Sequence, residues 1–177
     1  TLDGRGVQRI GCAVLGWCDN PTLRKAVHLD SEQVWRISNH PSVREYSINK
    51  DEIPWDEHEK WFSNAIVSAN LLFFVAENDG KVVGQLRYKL SSDKTSEVSV
   101  SLSPDTRGGG IAARLLKEGD VRCFAAWPRV EYVTAEISPL NVASMKSFSR
   151  AGYIRCNGTR MHGGHSFDVY RKERHSV

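Results

Sequence analysis

No stretch of this chain stays apolar for the ~20 residues that a membrane-spanning helix needs, and no charged-then-apolar leader opens it. A cytoplasmic protein without a membrane partner is therefore expected. Cysteine is sparse: Cys12, Cys18, Cys123 and Cys156 lack metal-ligand spacing and are too few for a disulfide framework, so reduced structural thiols are expected. The six histidines are scattered. His162 and His165 meet in the turn-like Met161-His162-Gly163-Gly164-His165, but no third ligand is indicated and no metal site is assigned. Neither sign of charge dominates: 24 Lys and Arg against 21 Asp and Glu give +3, which argues for neither nucleic acid nor an anionic membrane.

What is present suffices for one well-cored domain and not two, with 40% hydrophobic residues in a chain of 177. The chain begins at Thr1 without an initiator Met, as an excised or processed piece would. Residues 1–21 are read as an extension, a linker or the end of a preceding domain, and residues 22–177 as the domain itself.

Hydrophobic periodicity orders the elements. Leu23 to His28 reads as a first strand, and Asp30 or Ser31 caps a helix through Val34, Trp35 and Ile37 that Asn39-His40-Pro41 breaks. Pro54 opens a second helix, with Asp56 and Glu57 in its first turn and Trp61, Phe62, Ile66 and Val67 as its apolar stripe. Leu71 to Glu77 and Lys81 to Leu90 are strands joined at Asn78-Asp79-Gly80, a hairpin signal. From Glu97 to Leu102, Val98, Val100 and Leu102 alternate with Glu97, Ser99 and Ser101, the period of a half-buried strand that Pro104 ends. A glycine loop and a helix from Ile111 follow, then a strand from Val130 to Ile137 and a helix that Asn141 caps and Gly152 terminates. Strands at Tyr153 to Cys156 and Ser166 to Arg171 complete the order β-α-α-β-β-β-α-β-α-β-β.

The loop, Arg107-Gly108-Gly109-Gly110, carries the chemistry. Backbone amides at such a helix start, with no Cβ in the way, can cradle a phosphate and gain from the helix dipole. The spacing fits neither a G-x-G-x-x-G dinucleotide fingerprint nor a P-loop, since no G-K-[ST] follows.

What does fit is R-x-x-G-x-A at Arg107, Gly110 and Ala112, and here the sequence resembles the GCN5-related N-acetyltransferase (GNAT) superfamily, whose pyrophosphate loop is written [Q/R]-x-x-G-x-[G/A]. A second block, with Asn141, Ser144, Phe148, Gly152 and Tyr153, resembles the superfamily's N-x-x-[AS]-x-x-x-[YF]-x-x-x-G-[FY]. The resemblance spans about Thr22 to Arg171. It implies an α+β (α/β) acyl-CoA N-acyltransferase fold, with a mixed central sheet of about seven strands flanked by four helices. Trp35, Arg36, Pro41, Val43, Arg44, Glu57, His58, Trp61 and Phe62 further resemble a signature of nucleotide-amino-sugar N-acetyltransferases of bacterial surface-glycan pathways, the pseudaminic acid type; ribosomal-protein-type acetyltransferases share it. Asp3, Gly4, Gly6, Arg9 and Ile10 resemble the end of the UDP-sugar hydrolase of that pathway.

The resemblance implies acetyl-CoA as co-substrate and direct attack by a neutral amine, most simply the 4-amino group of a UDP-linked amino sugar. A protein N-terminus, a polyamine or an aminoglycoside are alternative acceptors, and a non-catalytic acyl-CoA-binding module is a third reading. The chain would act as a monomer or homodimer. Implied cofactor contacts are the backbone of Val100 and Leu102, the loop Arg107, Gly108, Gly109, Gly110, Ile111 and Ala112, and Asn141, Ser144 and Phe148 from the second block. Candidate bases are Glu97, Glu136 beside the expected splay between two strands, and His58. Phe148 stands where many relatives carry a tyrosine that protonates the departing thiolate, and Ser147 projects about 100° away on its helix. Arg36, Arg44, Trp55, Arg87 and Tyr88 are candidate acceptor contacts, while Trp35 and Trp61 fit core packing.

Overall fold

The structure is a computed structural model that describes residues 21–174. Seven strands form one mixed sheet in the order β1-β2-β3-β4-β5-β7-β6. They are β1 (Thr22–Lys25), β2 (Leu71–Asn78), β3 (Lys81–Leu90), β4 (Thr95–Leu102), β5 (Tyr132–Ile137), β6 (Ile154–His162) and β7 (His165–Glu173). The helices are α1 (Ser31–Asn39), α2 (Pro41–Arg44), α3 (Trp55–Val67), α4 (Ile111–Ala126) and α5 (Val142–Arg150).

Strand alternation divides the core in two. One face of the sheet, with Leu86, Tyr88, Val98 and Val133, packs against Leu115, Leu116 and Phe124 of α4 and Phe148 of α5. The other face, with Phe73 and Val75, packs against Val34 and Ile37 of α1 and Phe62 and Ala65 of α3. All neighbouring strands are antiparallel except β4 and β5, which pair in parallel only from Thr95–Tyr132 to Glu97–Thr134. Beyond Glu97 the two strands separate. Ser103 N donates to Val83 O at 2.8 Å, so the alternation of an antiparallel ladder turns the amides of Val98, Val100 and Leu102 toward the opened side.

Several expectations are corrected. β1 stops at Lys25 and His28–Asp30 forms a 3-10 turn. Asp30 occupies the N-cap position of α1 as expected, but its buried carboxylate makes no cap hydrogen bond and instead accepts from Arg24 at 2.7 and 2.8 Å and from Val27 N at 2.8 Å. His40-Pro41 ends α1 and also starts α2, with Pro at the first position and His40 Nδ1 accepting from Ser42 N at 3.3 Å, so the helices number five among the described residues. On α3, Val67 is 80% exposed while His58 takes an inward place beside Phe62 and Ala65. β6 is longer than expected and runs to His162, its pairing irregular between Arg155 and Thr159. Its residues are mostly exposed, so no apolar alternation marked it. The cap and stop of α5 follow the sequence: Asn141 Oδ1 accepts from Ser144 N at 3.0 Å and Gly152 has φ 96°. Cys123 is buried, which pushes its thiol up to about 12, whereas Cys156 is half-buried on β6. Cys12, Cys18 and the Asp3 to Ile10 segment lie outside the described residues. No helix among the described residues is long and apolar enough to cross a membrane.

Candidate active site

The glycine loop adopts a conformation that requires glycine. Gly108, Gly109 and Gly110 have φ of 103°, 57° and 79°, left-handed values that cost other residues ~1–2 kcal/mol each. Ile111 N closes onto Gly108 O at 3.2 Å and Arg114 N onto Gly110 O at 3.1 Å, leaving the amides of Gly109, Gly110 and Ala112 without partners among the described residues. These donors sit at the positive end of the 16-residue α4. Arg107 is exposed, yet its Nε and Nη2 donate to Leu102 O at 3.3 and 3.2 Å, tying the loop to the end of β4. The phosphate-type cradle and the unpaired amides of Val100 and Leu102 are thus continuous along one line.

The second block reaches that line less uniformly. Asn141 and Ser144 are half-buried at the start of α5, and the Asn141 carbonyl is committed to its cap. Phe148 is buried in the core, edge-on to Tyr153 at 5.0 Å. It carries no acid proton, and no described side chain takes its place on that turn: Ser147 Oγ donates to Ala143 O at 2.9 Å.

On the opposite face of the sheet a cavity of about 360 Å³ opens between α1, α2 and the segment after it, α3, and strands β3 and β4. Its walls include Ser38, Arg44, Ser47, Glu57, His58, Trp61, Gln85, Arg87 and Ser101. Arg87 Nε donates to Ser99 Oγ at 3.1 Å, and its guanidinium lies over Trp61 and Phe73. Burial lowers the Arg87 pKa while Glu97 supports the charge, and arginine stays protonated regardless. Gln85 is 4% exposed and donates from Nε2 to Ser38 Oγ at 2.7 Å, but its Oε1 has no partner. Arg44 Nε is likewise buried without a partner, although Arg44 Nη2 donates to Asn49 O. Such unmet groups cost roughly 1–3 kcal/mol each.

The three candidate bases fall in different places. Glu97 is half-buried at the last paired position before β4 and β5 separate, beside Arg87. His58 is 2% exposed among Trp55, Trp61 and Phe62, and its Nε2 donates to Ser31 O at 2.9 Å. Burial lowers its pKa against that hydrogen bond, and Arg87 adds to the lowering, so the ring is neutral near pH 7. Glu136 is withdrawn: its oxygens accept from Arg160 Nη1 at 2.8 Å and His162 Nε2 at 2.5 Å, across β7 and away from β4.

Among the acceptor candidates, Arg44 and Arg87 line the cavity. Trp61 lines it too and is 39% exposed, so it is not a core residue. Arg36 is exposed and paired with Glu32 at 2.5 Å. Tyr88 is fully buried on the other face, donating to Asp120 Oδ1 at 2.7 Å. Trp35 donates to Ile53 O at 2.8 Å and packs edge-on against Trp55 at 5.5 Å. Ser38, Ser47, Gln85 and Ser101 went unnoticed in the sequence, and only Gln85, a lone amide in the run Val82 to Leu86, left a signal there.

With this geometry in view, comparison with known proteins is decisive at the family level. The profile of the Acetyltransferase (GNAT) family matches residues 33–153. The chain belongs to the GNAT acetyltransferase family. Its membership makes it an enzyme of acetyl transfer. This GNAT chain is 30% identical over 139 residues to YwnH of Bacillus subtilis (strain 168), a proposed phosphinothricin acetyltransferase, covering 75% of the chain and 83% of that protein. Its fold matches the aminoglycoside acetyltransferase AAC(6')-Ib in complex with ribostamycin and coenzyme A, with a TM-score of 0.75, 16% identity, and coverage of 89% of this chain and 96% of that one. It also matches Vibrio cholerae spermidine N-acetyltransferase with CoA and spermine, with a TM-score of 0.72, 18% identity, and coverage of 86% and 93%. The two structures establish the GNAT fold and do not choose an acceptor.

Proposed function

We propose that this GNAT enzyme transfers the acetyl group of acetyl-CoA to the primary amine of a small acceptor that carries an anionic group. The observation that carries the reading is the pair Arg44 and Arg87 on the cavity wall, joined by the unpartnered Arg44 Nε. Arginine forks match carboxylate, phosphinate and phosphate oxygens. YwnH, with its phosphinothricin assignment, is consistent with an acceptor of that charge.

Acetyl-CoA supplies the thioester that the amine attacks. Its pyrophosphate would lie on the amides of Gly109, Gly110 and Ala112, and its pantetheine arm along Val100 and Leu102. An amide of that β4 edge is then placed to donate to the thioester oxygen as negative charge develops on it. Glu97, at the opening of the splay and on the cavity face, takes the proton from the ammonium directly or through water. His58, neutral in the wall, is the second candidate for that proton. With Phe148 unable to donate, the thiolate leaves with help from solvent, which a thiol pKa of about 8.5 permits.

A UDP-linked amino sugar is the second reading, because the same two arginines could hold a diphosphate. Arg36 and Tyr88 do not contribute to it from where they lie. The test is mass-spectrometric acetyl transfer from acetyl-CoA to glutamate, phosphinothricin, a UDP-4-amino-4,6-dideoxy sugar, spermidine, an aminoglycoside and an N-terminal peptide. Modification of glutamate or phosphinothricin, reduced about 100-fold by Glu97→Gln, supports the first reading. Acetylation of the sugar alone selects the second, and turnover of the polyamine or aminoglycoside alone overturns both.

A further inference from the structure

Three cross-strand pairs stand in a row on one face of β3 and β4: Lys89–Glu97, Arg87–Ser99 and Gln85–Ser101. Successive pairs on one face lie roughly 7 Å apart. The row begins at the splay with Glu97, and Arg87 is one step along it. Gln85 is one step further, on the side of Arg87 away from Glu97, and it lines the cavity together with Arg87 and Ser101. An amine at Glu97 and an anion at Arg87 leave this third position unused.

Gln85 is a buried amide in apolar company, with the fully buried Val75 directly opposite it on β2. A directional chain of hydrogen bonds fixes its orientation. Ser38 Oγ donates its only proton to Val34 O at 2.8 Å, so toward Gln85 it can only accept. Gln85 Nε2 therefore faces Ser38, at 2.7 Å, and Oε1 is the atom left over, buried and without a partner. A buried acceptor left unmet destabilises the free enzyme more than the Nε2 bond stabilises it. An unmet group of this kind in a folded protein calls for a role beyond packing. Having already shed bulk water, Oε1 gains a full hydrogen bond from an N–H or O–H that reaches it.

Resting on the reading of an anionic amine acceptor, we propose that Gln85 is a specificity-determining residue: its Oε1 receives a hydrogen bond from a hydroxyl or N–H group that the acceptor carries beyond its anionic group. The acceptor is then an extended molecule, with amine, anion and donor in that order, matched to Glu97, Arg87 and Gln85. A molecule that ends at its anion leaves Oε1 unmet. One that continues as an alkyl group covers Oε1 with atoms that cannot donate, which is costlier still.

Initial rates with acetyl-CoA on two phosphodiesters of ethanolamine test this. Glycerophosphoethanolamine has glycerol hydroxyls beyond its phosphate; 2-aminoethyl ethyl phosphate has the same charge and no hydroxyl. The expected kcat/KM is at least tenfold higher for the glycerol ester. Gln85→Met, close in size and without the amide, is expected to bring that ratio toward one. Its melting temperature is expected to equal that of the wild type or to rise by a few degrees, since one hydrogen bond and one unmet oxygen are lost together. A Tm lowered by more than about 4 °C makes Gln85 a residue of the fold and overturns the proposal. Equal rates for the two esters, or a ratio untouched by Gln85→Met, overturn the third position and leave the anionic acceptor standing. Failure to use either ester, by protein that acetylates glutamate or phosphinothricin, does the same. 2-Aminoethanol used as well as the glycerol ester, or no turnover of any of these anionic amines by protein that binds acetyl-CoA, overturns the anionic reading itself.

Discussion

The guanidinium carbon of Arg87 lies 5.2 Å from the centroid of the Trp61 ring. Arg87 comes from β3 and Trp61 from α3, so this cation-aromatic contact adds to the core packing that joins the sheet to the helix that walls the acceptor cavity. The contact leaves the remaining guanidinium N–H groups available, because only Nε is committed to a protein oxygen among the described residues.

Arg87→Met tests that availability. If Arg87 holds the anionic group of the acceptor, kcat/KM falls roughly 10- to 100-fold, as the loss of a charge-assisted hydrogen bond predicts, mostly through KM. Acetyl-CoA affinity, measured by calorimetry, is expected to stay unchanged because the cradle lies on the other side of the sheet.

Gly110→Ala probes the cradle. No atom lies within 4 Å of where its Cβ would sit, so the cost is conformational and comes from φ +79° alone. Acetyl-CoA affinity is expected to weaken about tenfold, the equivalent of one left-handed residue. An unchanged Kd would mean that the loop binds in another conformation.

A fully buried polar cluster holds α4 on the sheet. Asp120 accepts from Tyr88 and Tyr153 at 2.7 Å each and from Lys172 at 2.9 Å. Gly119 makes room for it, since a Cβ there would come 2.6 Å from the Tyr88 hydroxyl and 2.3 Å from Leu86. Lys172→Met strips the buried carboxylate of its counter-charge and is expected to cost about 3 kcal/mol in urea unfolding. A loss under about 1 kcal/mol would show that the two tyrosines alone satisfy Asp120.

His58 gives the protein a pH-dependent stability. Burial holds its folded pKa below the ordinary value, so the unfolded chain binds the proton more readily. The stabilisation is complete above about pH 6.5 and declines as the pH falls from there through the lowered folded value. His58→Gln removes this titration, and its stability curve between pH 7.5 and 5 is expected to be flatter than that of the wild type. Parallel curves would place the His58 pKa at its unfolded value.

The elements whose periodicity was strong were legible in the sequence. β2, β3 and β4 have apolar alternation or dense apolar runs, and the α5 cap and stop are local chemistry of Asn141 and Gly152. β6 was cut short because an exposed edge strand has no core-facing alternation to read. α2 was missed because proline marks both a stop and a first helical turn, and here it does both.

By itself, the sequence determined the glycine loop, the strand before it and the helix after it, because left-handed backbone and capping preferences are properties of neighbouring residues. The tertiary structure alone decided which side chains share a cavity. Arg44, His58, Trp61, Gln85 and Arg87 come from three separate elements, α2, α3 and β3, and their meeting depends on sheet register and helix packing. It also decided the fate of Glu136, which is near the splay in sequence terms but is drawn across β7 by Arg160 and His162. A one-residue change of strand register would send each such side chain to the opposite face, and nothing local to these residues encodes that choice.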